Sequence, residues 1–462
     1  SDECARCRTT VTHFPPESVR CVAVWTREYS STGPRRRHPA LVATRYRQNA
    51  IPSDEREECR ASTTRRWHTW SALCALVLAA CAAGPVHAEP GPAAIDERVE
   101  RLLGRMTVEE KIGQLTQVNV GQGGPPDKLR EAIKAGKVGA VLDVVDVATV
   151  NELQRIAVHD SRLGIPLLVG RDVIHGFKTV LPIPLGQAAA WNPELVRQGA
   201  RMGALEAAFP LLAGPPQRVE KPVGVEGHVV GVAAHPRAEL PAGQGVDPHL
   251  TAVLGVAAIR GFQGDDLSLP GSIAACAKHF VGYGASEGGR DCGFVGVPEI
   301  ELRNVYMPPF KAAADARVAT FMAAFSDVNG VPASANPFLL RTVLRGEWNF
   351  PGFVVSDWAS IVDMVVHGLV AGEKEAAFAA LSAGVDMEMA STTYREHLPG
   401  LLAEKRIDPP LLDDAVRNVL GVKLRLGLPE RTVTDPASYP GVASAANLAL
   451  ARKLATQSLV LL

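Results

Sequence analysis

Apolar residues follow two different periods along most of this chain. Ile95, Val99 and Leu102 recur at the spacing of one helix face, and Thr107 with Glu110 forms a capping box that begins a second helix. Beyond this point, short runs rich in β-forming residues alternate with segments of helical periodicity. The pattern therefore predicts a regular succession of strands and helices.

The predicted elements can be given by their residue numbers. The β-rich runs are 138–143, 165–172, 272–280, 319–325, 353–357 and 385–389, and the helical segments include 147–162, 299–316, 339–348, 374–383 and 411–426. Repeated β-then-α order is typical of a parallel sheet covered by helices. The length of this region favours an α/β fold of the (β/α)8 TIM-type barrel class over residues 95–430.

Several of the β-rich runs end in polar or charged residues. These residues are Asp172, Lys278 with His279, Ser356 with Asp357, and Asp386 with Glu388. In such barrels the C-terminal ends of the strands line the active site. Each residue alone is explained as well by a helix cap or an ion pair, and a strand-end lysine also suits a Schiff-base aldolase. Together they favour a site that binds many hydroxyl groups, such as those of a sugar.

Composition excludes several classes of protein. The 462 residues carry a net charge of −1, with 47% hydrophobic and 21% charged residues. These values exclude a disordered chain and a protein that binds nucleic acid through bulk charge. No run reaches the ~18 consecutive apolar residues of a membrane-spanning helix, so a polytopic membrane protein is excluded as well.

The first 70 residues differ from the rest of the chain. They contain thirteen Arg and no Lys, and they show little apolar periodicity. Cys4 and Cys7 form a Cys-x-x-Cys pair, but the distances to Cys21 and Cys59 match no compact zinc module, so no metal site is predicted. We expect residues 1–70 to be non-globular. They would then be either sequence that lies upstream of the true translation start or sequence translated in the wrong reading frame.

An export signal follows this region. Arg65 and Arg66 precede an apolar run, and a small-x-small cleavage pattern ends at Ala88, so residues 71–88 are predicted to be a signal peptide. The segment 78–81 also resembles a bacterial lipobox, in which Cys81 would carry a lipid anchor. Either reading predicts a periplasmic or secreted protein. The two cysteines that remain are too few for a disulfide framework.

Six segments carry a resemblance to a known family. They are MTVEEKIGQL (106–115), GIPLLVGRDVIHG (164–176), AKHFVGYGASEGGRD (277–291), YMPPFKAAADA (306–316), NPFLLRTVLRGEWNFPGFVVSDW (336–358) and AGVDMEM (383–389). In their order and length they resemble the N-terminal domain of family 3 glycoside hydrolases, especially exported bacterial β-glucosidases. The resemblance implies a retaining, exo-acting β-glucosidase that uses neither a metal nor an organic cofactor.

The resemblance also implies roles for single residues. Asp357 matches the catalytic nucleophile, which forms a covalent glycosyl-enzyme that water then hydrolyses. Trp358 is expected to shape the sugar subsite, and Met322 lies in a segment that resembles a pocket wall. The expected substrates are β-linked oligosaccharides or aryl glucosides, with no nucleic acid partner.

Three further residues match positions that hold the terminal sugar. Asp172 matches a carboxylate that grips its hydroxyl groups, and Lys278 with His279 matches a Lys-His pair that hydrogen-bonds the same sugar. A lysine near these carboxylates would also keep them ionised. For His279 a buried histidine bonded to the backbone remains an alternative.

Two features leave other functions open. Tyr283 stands where the β-N-acetylglucosaminidase branch has the histidine of its acid/base dyad, which favours the glucosidase branch without excluding that activity or a β-xylosidase. In the glucosidase branch the acid/base Glu lies on an α/β sandwich domain, so we expect it beyond Leu462, with 431–462 as the linker towards that domain. An inactive or weakly sugar-binding remnant is the alternative.

One barrel unit departs from the family pattern. Residues 209–246 contain six Pro and six Gly, which is poor material for a strand and helix. A D-P-R-W-G-R motif, whose Arg helps to bind the sugar in the family, is missing there, and family character is expected to resume at Asp247. We therefore expect a disrupted barrel unit, caused by a reading-frame excursion or by gene decay.

Overall fold

Parallel strands separated by helices organise the described part of the chain. The computed structural model describes residues 92–120, 126–144, 146–208, 229–233, 247–290, 292–430 and 443–460, with 229–233 as backbone only. The predictions for 1–70, for the signal segment 71–88 with Cys81 and for most of 209–246 lie outside these residues.

The described residues contain eight parallel strands and a small three-stranded sheet. The parallel strands are β1 Thr116–Asn119, β2 Ala140–Leu142, β3 Leu168–Gly170, β4 Val229–Ala233, β5 Ala274–Phe280, β7 Thr320–Ala323, β10 Phe353–Val355 and β11 Glu388–Met389; the small sheet has β6 Phe294–Val295, β8 Asp327–Val328 and β9 Val331–Pro332. The parallel strands pair in the orders β11-β1-β2-β3 and β10-β7-β5-β4. A parallel bridge between Val355 and Met387 joins the two sheets. This is the (β/α)8 TIM-type barrel that the alternating pattern predicts.

Helices lie between and around these strands. In chain order they are α1 Pro92–Leu103, α2 Val108–Gln114, α3 Asp127–Lys134, α4 Val147–Arg155, α5 Pro184–Ala189, α6 Pro193–Ala208, α7 Pro248–Gln263, α8 Glu299–Glu301, α9 Met307–Asp315, α10 Asp363–Val366, α11 Glu373–Ala383, α12 Thr393–Ala403, α13 Pro409–Arg425 and α14 Ala445–Gln457, with π-helical turns at Ile156–Asp160, Leu302–Tyr306 and Phe338–Glu347. The predicted capping box is present, because Glu110 N donates to Thr107 Oγ1 at 3.2 Å and Thr107 N donates to Glu110 Oε2 at 2.9 Å. None of the described helices is long and apolar enough to cross a bilayer.

Two of the eight parallel strands, β1 and β4, lie outside the predicted β-rich runs, and β4 lies in a segment expected to be unsuited to a strand. Residues Val229–Ala233 form β4, which pairs in parallel with β5 from Val229 opposite Ala274 to Ala233 opposite Lys278. The expectation that 209–246 is unsuited to a strand is therefore wrong for these five residues. They read Val-Val-Gly-Val-Ala, a β-branched run without Pro, and pairing with a buried neighbour outweighs the Gly and Pro on either side.

A buried lysine holds the N-terminal ends of the first three strands together. Lys423 of α13 donates to Gln114 Oε1 at 2.6 Å, to the Gly139 carbonyl at 2.8 Å and to the Pro166 carbonyl at 2.9 Å. These three acceptors precede β1, β2 and β3. Burial lowers the pKa of Lys423 to about 7. The lysine thus serves the fold at the end of the barrel opposite to the strand ends that carry the candidate chemistry.

A second buried charge network lies between β10 and β11. Asp386 accepts hydrogen bonds from Arg345 Nη2 at 2.5 Å, from the Val354 N–H at 2.7 Å and from Asn418 Nδ2 at 3.0 Å. Burial raises the pKa of Asp386, and the charge of Arg345 is the largest influence that opposes this rise. Asp386 is therefore a structural residue that connects two strands and two helical segments.

We expect Arg345→Met to destabilise the barrel strongly. The substitution leaves the buried Asp386 carboxylate without its counter-charge, a change that costs about 3 kcal/mol. Urea unfolding at pH 7 measures the loss. Arg303→Met is the matched control, because Arg303 makes its ion pair with Glu347 at the surface and the expected loss there is within about 1 kcal/mol. Equal losses in the free energy of unfolding for the two variants would show that the buried Arg345–Asp386 pair stabilises the protein no more than a surface ion pair does.

The C-terminal helix packs on the outside of the barrel. Leu454 of α14 is fully buried against Leu181, Leu195 and Met202. Glu206 of α6 accepts a hydrogen bond from Asn447 Nδ2 at 2.8 Å and another from the Thr179 N–H at 2.8 Å. Part of the segment predicted as a linker is therefore a helix that is attached to the barrel by apolar and polar contacts.

Candidate active site

The strand ends of β3 and β5 bring a carboxylate and an ammonium group together. Asp172 follows β3 by two residues, and Lys278 is the fifth residue of β5. Lys278 Nζ donates to Asp172 Oδ1 at 3.0 Å, with both side chains about nine-tenths buried. Burial raises the pKa of Asp172, and the adjacent Lys278 ammonium opposes the rise by charge and by its hydrogen bond. The predicted pair of sugar-binding residues is thus one buried ion pair.

The next residue of β5 reaches the predicted nucleophile. His279 Nε2 lies 3.5 Å from Asp357 Oδ2, and Asp357 follows β10 by two residues. The Trp358 N–H donates to Asp357 Oδ1 at 2.7 Å, which fixes the other carboxylate oxygen. His279 therefore has the Asp357 carboxylate as a charged neighbour, and its role towards a sugar stays a prediction. The two pairs, Asp172 with Lys278 and Asp357 with His279, are brought together by the adjacent residues Lys278 and His279 of β5, and the four residues are called the Asp357 group.

Aromatic contacts fix the backbone that presents this group. Phe280, which follows His279, is fully buried and meets Phe310 at a centroid distance of 5.3 Å and Phe321 at 5.4 Å, both edge to face. On its exposed side the His279 ring lies 4.6 Å from the ring of Tyr283. Such packing limits rotation of β5 and so defines where Lys278 and His279 point.

The remaining two predicted residues lie beside the group in different environments. Trp358 is 39% exposed, so its indole is available at the barrel mouth. Met322 of β7 is 1% exposed and is paired in register with Val355, two residues before Asp357. Met322 therefore packs in the core under the nucleophile, and a contact with sugar stays a prediction.

Two of the strand-end candidates do not join this group. Asp386 precedes β11 instead of following it, and its carboxylate forms an ion pair with Arg345. Glu388 is fully buried and accepts hydrogen bonds from the Thr393 N–H and the Tyr394 N–H, both at 2.8 Å, at the start of α12. For these two residues the interpretations as ion pair and helix cap are the correct ones, because unpaired backbone N–H groups at a helix start attract a carboxylate.

One carboxyl group at the site was not singled out from the sequence. Asp143 follows β2 directly, and its carboxyl group interacts electrostatically with Asp172 and Arg171. Burial first, and then the negative charge of Asp172, raise the pKa of Asp143 to about 6, while Arg171 lowers it. The signal was present, because the run 138–143 ends in an acid, as the runs 165–172 and 353–357 do.

The site can be compared with a pocket at the other end of the barrel. A cavity of about 380 Å³ is lined there by Lys423, by Arg98 and Arg105 of the α1 region, and by residues 163–166, which precede β3. Active sites of such barrels form at the C-terminal strand ends. We therefore assign the chemistry to the Asp357 group and not to this cavity.

Comparison with known proteins identifies the family. The Glycosyl hydrolase family 3 N terminal domain matches residues 107–212 and 225–422. The chain belongs to this family. The match is interrupted at 213–224, so family character resumes at 225, earlier than the expected Asp247.

Curated relatives cover most of this family 3 chain. It is 40% identical over 351 residues to the periplasmic beta-glucosidase of Salmonella typhimurium, which covers 76% of this chain and 44% of the relative. It is 31% identical over 354 residues to a beta-xylosidase of Formosa agariphila, which covers 72% of this chain and 43% of the relative. The family 3 chain thus spans about half the length of the curated relatives it matches.

A solved structure shows the same fold. The crystal structure of beta-glucosidase from Listeria innocua in complex with glucose superposes with a TM-score of 0.68 at 33% identity, over 79% of this chain and 51% of the other. The family 3 barrel described here therefore has its counterpart in an experimentally determined glucosidase.

We expect Lys278→Met to destabilise the protein in a pH-dependent way. Without the ammonium group the pKa of buried Asp172 rises further above its unfolded value, so the native state binds a proton that the unfolded state releases. Stability should therefore fall as pH rises above about 4, with a deficit of about 3 kcal/mol at pH 7.5. Thermal or urea unfolding between pH 4 and pH 8 measures it.

A surface lysine supplies the control for this substitution. Lys311 pairs with Asp315 on the exposed face of α9, so Lys311→Met should cost less than about 1 kcal/mol and show little pH dependence. A Lys278→Met deficit that does not change between pH 4 and pH 8 would contradict the role of Asp172 in this pair.

Proposed function

We propose that this protein is a retaining β-glucosidase that releases terminal β-D-glucosyl residues from oligosaccharides and aryl glucosides. One observation carries the proposal: the Asp357 carboxylate lies 3.5 Å from His279, whose neighbour Lys278 is paired with Asp172. This group combines a nucleophile with hydrogen-bonding partners for sugar hydroxyls. The names of the Salmonella and Listeria relatives support the same substrate class.

The geometry of Asp357 suits nucleophilic attack. The Trp358 N–H donates to Oδ1 and holds the carboxylate, which attacks the anomeric carbon while the glycosidic C–O bond breaks and the leaving group departs with the bonding electrons. Water then attacks the glycosyl-enzyme at the same carbon, releases Asp357 and restores the original configuration. His279, next to Oδ2, is placed to hydrogen-bond a hydroxyl group adjacent to the reacting carbon.

Lys278 and Asp172 are the residues that would bind the terminal sugar. The ammonium donates and the carboxylate accepts, so the pair can bind two hydroxyl groups of one sugar through charge-assisted hydrogen bonds. Their mutual ion pair holds both groups in place before substrate arrives. Such preorganisation lowers the cost of ordering the site on binding.

A β-xyloside is the second candidate substrate. The beta-xylosidase of Formosa agariphila, at 31% identity, is as similar to this chain as the lysosomal beta glucosidase of Dictyostelium discoideum, at 30%. Xylosides lack the hydroxymethyl group of glucosides, and nothing in the Asp357 group depends on that substituent. Hydrolysis of the two aryl glycosides in parallel decides between them.

We also propose that the protein is exported. The predicted signal peptide at residues 71–88 and the word periplasmic in the name of the Salmonella relative support this proposal. Mass spectrometry of the N-terminus of the exported protein distinguishes lipidated Cys81 from cleavage before Glu89.

We expect Asp357→Asn to abolish hydrolysis of 4-nitrophenyl β-glucoside while the protein stays folded. An amide is isosteric with the carboxylate but cannot form the glycosyl-enzyme, so kcat should fall at least about 10³-fold. Asp327→Asn, at the partly exposed hairpin β8–β9, is the control and should keep most of the activity. If Asp357→Asn still hydrolyses 4-nitrophenyl β-glucoside at a rate close to that of the unchanged chain, Asp357 is not the nucleophile.

We expect the chain to distinguish substrates by their leaving groups. If the proton donor lies outside the barrel, aryl β-glucosides with acidic leaving groups should be hydrolysed slowly, whereas cellobiose, which needs protonation, should not. Glucose release from both substrates measures this difference. Equal rates would place the proton donor within the barrel, and no release from either would favour the sugar-binding remnant.

A further inference from the structure

Asp143 is a carboxyl group at the site that the proposed mechanism does not use. It follows β2, which pairs in register with β3, and its N–H donates to the Gly170 carbonyl at 3.2 Å. Its φ of 62° lies in the left-handed region, which a non-glycine residue seldom adopts. The Arg171 guanidinium binds the carbonyl of the following residue, Val144. The backbone that presents Asp143 is thus fixed from two sides.

The carboxyl group of Asp143 lacks hydrogen-bond donors among the described residues. Asp143 is half-buried, and none of the described residues donates a hydrogen bond to its carboxyl group. The buried structural carboxylates differ in this respect. Glu206 and Glu388 each accept hydrogen bonds from two backbone N–H groups. A desolvated carboxyl group without donors is unfavourable, so its retention at this position fits a donor that arrives with a ligand.

The neighbours of Asp143 indicate which ligand group that is. On the β3 side it faces Asp172, which is engaged with Lys278 from β5, and Arg171, which is fully buried and bound to Val144. On the β1 side the strand ends in neutral Asn119. Neighbouring strands lie about 4.8 Å apart, so carboxyl groups at the ends of β2 and β3 can reach two hydroxyl groups of one sugar ring.

We infer that Asp143 is a further sugar-binding residue of this site, whose carboxylate accepts a hydrogen bond from a hydroxyl group of the terminal sugar beside Asp172. The inference rests on the proposed function, which places the terminal sugar among Asp172, Lys278 and His279. It adds a contact that determines specificity, since a sugar without that hydroxyl group leaves Asp143 desolvated and without a donor.

The test is calorimetric titration with D-glucose and its 2-, 3-, 4- and 6-deoxy analogues at pH 7.5. The proteins are the unchanged chain, Asp143→Ala and, as the control, Asp146→Asn, which lies in the same loop and keeps the helix cap on Thr149. We expect Asp143→Ala to bind glucose at least about tenfold more weakly. Asp146→Asn should bind glucose as the unchanged chain does.

The deoxy analogues test the contact itself. In the unchanged chain one analogue should bind more weakly than glucose because it lacks the hydroxyl group that Asp143 accepts. In Asp143→Ala that particular penalty should disappear while the penalties of the other analogues remain. A merely structural role of Asp143 would weaken all five ligands together and preserve every ratio.

A second variant covers loss of folding in Asp143→Ala. Asp143→Asn keeps the shape of the side chain and removes its charge. A carboxylate is a better acceptor than a carboxylic acid, and the pKa of Asp143 is raised to about 6. Glucose affinity of the unchanged chain should therefore rise between pH 5 and pH 7.5, and Asp143→Asn should lose this rise.

The outcomes separate the inference from the proposed function. If the unchanged chain binds glucose and Asp143→Ala binds it equally well, or all analogue penalties persist in that variant, the inference is wrong and the proposed function stands. The same holds if Asp143→Asn keeps the pH dependence of the unchanged chain. If the unchanged chain neither binds glucose nor hydrolyses an aryl glucoside, the proposed function fails, and the inference fails with it.

Discussion

The burial of Asp172 with Lys278 is the constraint on which the site depends. Removing either charge from water is costly, and the two are stable at the barrel mouth only when the ends of β3 and β5 hold them in contact. That contact requires the strands between and around them to be in register. Because His279 follows Lys278 directly, the same register brings His279 to Asp357. The placement of β5 therefore positions both halves of the candidate site.

The buried charges at the N-terminal end of the barrel all have fixed partners in the fold, whereas only some of the charged groups at the C-terminal end have them. At the N-terminal end Lys423 donates to a side chain and two carbonyls, and Asp386 accepts from a guanidinium, an amide and a backbone N–H. At the C-terminal end Asp143 has no such set of donors, and Trp358 is partly exposed. Charges that are satisfied by the fold stabilise it, whereas groups with spare hydrogen-bonding capacity suit a ligand. The division follows the rule that such barrels separate stability from chemistry.

The barrel and the strand-end positions of Asp357, Asp172, Lys278 and His279 can be predicted from the sequence, because buried strands leave apolar runs and their polar ends stand out against these runs. The sequence alone could not rank the polar ends, since the same pattern describes Glu388, whose partners lie in the following helix. β4 was missed because its β-branched residues are surrounded by Gly and Pro, and its pairing with β5 is set by tertiary contact. Asp143 differs: its position was visible, but its missing donors are a property of the folded chain.

The position of the carboxylates also bears on where the proton donor lies. A retaining glycosidase needs its acid/base carboxyl about 5–5.5 Å from the nucleophile. Among the strand-end carboxylates, Asp172 is paired with Lys278, Asp386 with Arg345, and Glu388 caps α12. Asp143 lies beside Asp172, on the β2 side of the mouth. Under the proposed function these groups bind the sugar or stabilise the fold, and we infer that the acid/base carboxyl lies outside this set.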